Sequence, residues 1–197
     1  LTDPEAQPDP NAETNPWRTL SRREVYRNPW IAVREDEVIR PDGHPGIYGV
    51  VEFIHCAVGV LAVESDGSIW LVGQYRYPTE SYSWEVPEGG CAPGESELEA
   101  AVRELREETG LTASRIELLA VSHLSNSVTN EKAVIFRATG LDTGPRSPEG
   151  TERLQVRRVP FDEAFEEMKR GAITDSMTVI ALLHEALRRR TTREDGS

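Results

Sequence analysis

Between Gly89 and Leu111 the chain reads GGCAPGESELEAAVRELREETGL. Glu104, Glu107 and Glu108 crowd together there, with Arg103 beside them and Glu95 upstream. On a helix, Glu104 and Glu108 are one turn apart and project together, and like charges at that spacing repel. Solvent or a cation must offset the repulsion. Carboxylate oxygens are natural ligands of Mg²⁺, a hard cation that prefers octahedral oxygen ligands and keeps sites for waters and substrate phosphates. The preceding loop, VPEGGCAPGE, is rich in glycine and proline, so a backbone carbonyl near Glu88–Gly89 could approach the same cation. The chemistry this constellation predicts is metal-assisted attack on a phosphoryl group.

Such a site needs a helix to carry it, and the sequence specifies one over about 96–109. Ser96 is a suitable N-cap, and Glu97 and Glu99 place negative charge in the first turn, where the helix dipole favours it. Gly110 is a natural stop. Leu98, Ala101, Val102 and Leu105 follow helical spacing and predict a buried stripe opposite the carboxylates.

The rest of the chain reads as strands and two further helices. IAVREDEVIRPDGHPGIYGVVEFIH holds two extended runs around a Pro/Asp/Gly turn. AVGVLAVESDGSIWLVGQYRYP reads as a hairpin turning at Ser65-Asp66-Gly67. IELLAVSH, KAVIFRAT and RLQVRRVP read as strands, and FDEAFEEMKRG as an amphipathic helix. DSMTVIALLHEALRRR reads as a helix capped by Asp175, with Ile180, Leu183 and Leu187 as its apolar spine. This order predicts an α/β fold, a mixed sheet with helices on both faces, preceded by an N-terminal antiparallel strand region. The expected divisions are a disordered arm over 1–16, a strand region over 17–56, a main domain over 57–190 and a frayed tail over 191–197.

Composition narrows the function classes. A chain of 197 residues predicts one main domain with at most a small appendage. The net charge of −12 and the lack of a basic stripe disfavour nucleic acid as a partner. No apolar run reaches the roughly 20 residues that span a bilayer, so no membrane partner is expected. No secretory leader pattern opens the sequence, and Cys56 and Cys91 make no disulfide framework, which predicts free thiols in the cytoplasm. His44, His55, His123 and His184 are scattered without metal-ligand spacing.

Gly89, Glu95, Arg103, Glu104, Leu105, Glu107, Glu108, Gly110 and Leu111 occupy every fixed position of the Nudix box. At ordinary residue frequencies a chance match at one starting point is on the order of 10⁻¹⁰. The chain thus resembles the Nudix hydrolases, enzymes that cleave a nucleoside diphosphate linked to another group. The resemblance implies the family's α/β/α sandwich. It also implies Mg²⁺ or Mn²⁺ held by Glu104, Glu107, Glu108 and the Gly89 region, with Glu104 and Glu108 catalytic. Arg103 would hold a box glutamate in position, and Glu95 would act as a brace.

From about Trp17 to Arg190 the likeness extends to one branch, the ADP-ribose and nucleoside-diphosphate-sugar pyrophosphatases. In that branch Arg76, within VGQYRYPTESYSWEVPEGG, would contact the diphosphate or sugar, and Glu85 would bond a sugar hydroxyl. A surface strand charge would account for Arg76 as well, and Glu85 could simply stand between core residues Trp84 and Val86. A late loop would supply one more carboxylate as ligand or general base, with Glu152 the better match and Glu149 the second. The branch also implies a homodimer exchanging N-terminal sheets, in which Trp30 or Tyr48 could reach a nucleobase, although packing in core or turn would account for either. ADP-ribose-specific members usually carry a proline some 15 residues past the box; here VSHLSNSVTNEK has none, leaving other nucleoside-diphosphate sugars equally open. Asn126, Asn130 and Glu131 in that segment would read sugar or base, or simply form a polar loop. A triphosphate-cleaving Nudix enzyme and a non-catalytic Nudix ligand sensor are the alternative readings.

Overall fold

The computed structural model describes residues 14–145 and 153–194. The chain divides into two compact units between Glu52 and Phe53. Most of the arm expected over 1–16 lies outside the described residues, and 14–16 carry no regular structure.

The first unit holds β1 (Arg18–Arg27), β2 (Ile31–Ile39) and most of β3 (Pro45–Phe53). These form one sheet in the order β1-β2-β3, with β1 and β2 antiparallel. The turn between β2 and β3 closes through the Arg40 N–H on the His44 carbonyl, 2.9 Å away. Gly43 there has φ +84°, a conformation that favours glycine. Every residue of β1 is exposed.

The second unit is built on a mixed four-stranded sheet in the order β7-β4-β9-β8. Its members are β4 (Ala57–Ala62), β7 (Glu88–Gly90), β8 (Leu111–His123) and β9 (Lys132–Thr143). The two central strands, β4 and β9, run parallel and alternate their side chains between two cores. Val58, Val60 and Ala62, with Val134 and Phe136, pack against α1 (Glu97–Thr109) through Ala100, Ala101 and Leu105. Leu61, Val63, Ala133 and Ile135 form the opposite core with α2 (Phe161–Lys169) and α3 (Ser176–Glu194). Met177, Ala181 and Leu182 are the buried face of α3 in that core. A second sheet, in the order β10 (Gln155–Pro160), β5 (Ser68–Arg76), β6 (Ser81–Glu85), adds Ile69, Leu71 and Val159 to it. This is the expected α/β fold, with helices on both faces of a mixed sheet.

Three local expectations are corrected. The turn after β4 forms, with Gly67 at φ +85° and its N–H on the Glu64 carbonyl, but β4 and β5 share only the bridge Val63–Ile69. They then part into different sheets, because β4 is flanked by β7 and β9. On α1, Leu98 and Val102 are each 47% exposed. The buried face runs through Ala100, Ala101, Leu105, Glu108 and Thr109, so the Glu108 carboxylate lies on the core side of the helix rather than opposite it. On α3, Leu183 and Leu187 face outward, and Glu185 is buried in their place. Glu185 is neutralised there by Arg137 and Arg189, at 2.8 and 3.0 Å.

Candidate active site

Local chemistry sets the helix that carries the glutamates. The Ser96 hydroxyl accepts the Glu99 N–H, and the Glu99 carboxylate accepts the Ser96 N–H at 2.9 Å, a reciprocal capping box. Such a cap contributes about 1 kcal/mol. At the other end Gly110, at φ +77°, donates its N–H to the Arg106 carbonyl at 2.9 Å. Leu105 anchors the middle; burying a leucine contributes roughly 1.5–3 kcal/mol.

Arg103 organises the acidic face. Its Nε and Nη2 each donate to Glu95 at 2.9 Å, and Nη2 also donates to the Gly90 carbonyl at 2.9 Å. Its Nη1 donates to Glu104 at 2.7 Å and to Glu107 at 3.1 Å. One guanidinium thus ties two helix carboxylates to the loop that precedes the helix. The hydrogen bonds from Arg103, then that from the Ala92 N–H, hold the Glu95 carboxyl down at about 2. The same bond to Glu95 raises the Arg103 pKa despite partial burial.

Glu104 lies against Gly89. A Cβ at position 89 would overlap the Glu104 carboxylate, with Oε2 2.8 Å away and Oε1 and Cδ nearer still. Glycine at 89 is therefore a cradle for that carboxylate. Glu108 is 1% exposed, and its Oε2 accepts the Glu88 N–H at 3.0 Å. Of the residues that sequence reasoning assigned to a metal, Glu104 meets Gly89, Glu108 meets the Glu88 backbone, and Glu107 is joined to Glu104 through Arg103. The donor set suits a hard divalent cation: acidic oxygens, a backbone segment stripped of side chain, and a burial that favours neutralisation.

Arg76 and Glu85, expected as separate substrate contacts, form one ion pair. Arg76 Nε donates to Glu85 Oε1 at 2.9 Å, and Nη2 donates to Oε2 at 2.7 Å. Gln74 adds a further bond to Glu85 at 3.1 Å. Arg76 also bonds Glu88 Oε1. Burial works against the Arg76 charge, but Glu85 and Glu88 outweigh it and its pKa is raised. Beside this pair opens a cavity of about 520 Å³, whose wall includes Ser81, Ser83, Glu131 and Ser176 along with Arg76, Glu85 and Asp175.

Sequence reasoning missed two side chains here. Glu88 was read for its backbone alone and Asp175 as a helix cap alone. Asp175 does cap α3, accepting the Thr178 N–H at 2.7 Å and the Thr178 hydroxyl at 2.8 Å. Yet Glu85, Glu88 and Asp175 each bring a carboxylate oxygen within 4.8 Å of the others. Burial, then the charges of Asp175 and Glu85, push the Glu88 carboxyl well above the usual range. The signal available was Glu88 itself, a charged side chain beside Pro87 at the mouth of the glycine loop.

Glu149 and Glu152 are outside the described residues. Trp30 sits on the turn between β1 and β2 and is 69% exposed, its N–H on the Asn28 side chain at 2.9 Å. Tyr48 packs edge-on to Trp17 at 5.2 Å. Asn130 caps the Phe53 backbone, accepting its N–H at 2.7 Å, while Asn126 is exposed.

The fold and the box geometry define a class, and comparison with known proteins agrees. Residues 54–178 match the NUDIX domain, and residues 17–51 match the nucleoside diphosphate sugar hydrolase N-terminal domain. The chain belongs to the Nudix family and is a Nudix hydrolase. It is 31% identical over 170 residues to the ADP-ribose pyrophosphatase of Mycobacterium tuberculosis, covering 85% of this chain and 82% of that one. It is 30% identical over 177 residues to the methanol dehydrogenase activator of Bacillus methanolicus, covering 87% of this chain and 95% of that one. A crystal structure of an ADP compounds hydrolase superimposes with a TM-score of 0.79 at 24% identity, over 90% of this chain and 97% of the other.

Proposed function

We propose that this protein is a Mg²⁺- or Mn²⁺-dependent pyrophosphohydrolase of ADP-ribose or another nucleoside-diphosphate sugar, yielding a nucleoside monophosphate and a sugar phosphate. The observation that carries this reading is the Glu104 carboxylate seated in the space left by Gly89 and tied by Arg103 to Glu95 and Glu107. The relatives' names support the substrate class.

Glu104, Glu107, Glu108 and the Gly89 carbonyl region would hold the cation. Bound there, a divalent metal polarises phosphoryl oxygens and lowers the pKa of a water. Arg103 holds two of the carboxylates at fixed separation from the glycine loop, which keeps them oriented without rearrangement during the reaction. Glu85, fixed by Arg76 and Gln74, presents a carboxylate to the cavity as an acceptor for sugar hydroxyls. Arg76 also lines the cavity, where it would meet the diphosphate. Glu152, with Glu149 as the alternative, would take the proton of the attacking water.

A second copy of the chain would cover the N-terminal sheet. Leu20, Val25 and Tyr26 on β1 are about half exposed, and such apolar surface favours association. Trp30, exposed on the adjoining turn, would then be available to stack on a nucleobase. Two free thiols are consistent with a reducing cytoplasm.

The deciding experiment is a panel of sugar nucleotides incubated with Mg²⁺, with products identified by mass and compared by kcat/KM. The expected result is paired release of nucleoside monophosphate and sugar phosphate. Absence of turnover on every member, alongside measurable binding, would instead favour a ligand sensor. Sedimentation at micromolar concentration tests the dimer; a monomer there would rule it out.

A further inference from the structure

Glu88 is the feature that the catalytic reading leaves unexplained. Its backbone serves the glycine loop, but its side chain turns to a different set of partners. The side chain is 7% exposed. Oε1 accepts from Arg76, while Oε2 is enclosed and has no hydrogen-bond donor among the described residues. A buried carboxylate oxygen without a donor is costly, by several kcal/mol if it carries charge. Beside it stand two more carboxylates, from Glu85 and Asp175, with ligand atoms of all three within 4.8 Å.

Charge balance sharpens the problem. With all three ionised, the carboxylates would contribute −3 against the +1 of Arg76, a crowding that disfavours the charged form of Glu88 unless a cation shares it. Arg76 Nε and Nη2 are committed to Glu85 and to Glu88 Oε1, and neither reaches Glu88 Oε2. A divalent cation would offset the crowded carboxylates and give the enclosed Glu88 Oε2 a partner.

We propose that Glu85, Glu88 and Asp175 form a second divalent-cation site, distinct from the one on α1. Its ligands are all hard oxygens, so the class of ion is Mg²⁺ or Mn²⁺. Three protein ligands leave room in an octahedral shell for water or ligand oxygens. Glu85 and Asp175 line the 520 Å³ cavity, so those remaining positions face it. A cation there converts an acidic wall into one that accepts anionic or hydroxyl oxygens. The site does not depend on which nucleotide is cleaved.

The test is Mn²⁺ binding to the full-length chain at neutral pH without nucleotide, followed by loss of the free-ion electron paramagnetic resonance signal. Glu88→Gln keeps size and hydrogen-bonding capacity but removes the ligand charge. Asp175→Asn is a second variant, chosen because asparagine also caps helices well. Each is expected to bind one Mn²⁺ fewer per chain than the parent, with an unchanged near-ultraviolet circular dichroism spectrum. A Glu104→Gln/Glu107→Gln variant is expected to retain that ion. The proposal fails if Glu88→Gln titrates like the parent, or if the α1 variant loses the same ion as the trio variants. Absence of turnover on sugar nucleotides would sink the proposed reaction yet leave this ion count untouched.

Discussion

Gly89 and Glu104 occupy one space between them: the carboxylate of the helix residue fills the volume that any side chain on the strand residue would need. This fixes the helix carboxylate against the backbone segment from which a metal-coordinating carbonyl would come. Gly89→Ala must therefore push Glu104 away. The expected result is a loss of kcat of about 100-fold, the scale on which a misplacement near 1 Å acts. Circular dichroism should show the fold retained. Unchanged kcat in a folded Gly89→Ala protein would refute the cradle.

Arg103→Lys tests whether geometry or charge matters at the brace. A lysine ammonium has the charge but lacks the planar fork that reaches Glu95, Glu104, Glu107 and the Gly90 carbonyl together. Steady-state kinetics should show at least a tenfold loss of kcat, on the order expected when a group orienting metal ligands is removed. Parent-like kcat with lysine would mean that charge alone suffices.

Glu108→Gln should fold, because an amide oxygen can still accept the Glu88 N–H. It should lose most turnover, since removing a charged ligand weakens the divalent site. Thermal melting and kcat measured on the same sample check both halves. Full activity in this variant would count heavily against the assignment of the α1 carboxylates.

Glu95 carries a prediction about acid. Its folded pKa of about 2 lies below its ordinary 4.5, so its contribution to stability is complete above pH 4.5 and is lost as pH falls through about 2. Solvent reaches this side chain, which limits the size of the effect. Urea unfolding of the parent and of Glu95→Gln should show a stability difference at pH 6 that narrows steadily below pH 4.5. A constant difference across that window would mean that the bond to Arg103 does not respond to the Glu95 charge.

How much of this was legible in the sequence follows the range of each interaction. The limits of α1 were readable, because Ser96, Glu99 and Gly110 act on backbone groups within one turn of themselves. The box glutamates and Arg103 were readable for the same reason, being neighbours on one helix. The buried faces of α1 and α3 were not. Leu98, Val102, Leu183 and Leu187 satisfy helical spacing, yet the sheet selects the adjacent line, where alanines allow close approach. The Arg76–Glu85–Glu88–Asp175 cluster was illegible as a unit, since Asp175 reaches it from the far end of the chain. The separation of β4 from β5 was hidden too, because strand partners are chosen by tertiary pairing.

Thr178 joins two distant parts of the molecule. Its hydroxyl accepts the Val86 N–H at 2.9 Å and donates to Asp175 at 2.8 Å, linking the segment between β6 and β7 to the first turn of α3. The amide protons of Val86 and Thr178 are therefore natural reporters. Their exchange with deuterated solvent should slow together whenever something rigidifies the acidic pocket, so a labelling experiment could sense occupancy without any catalytic readout.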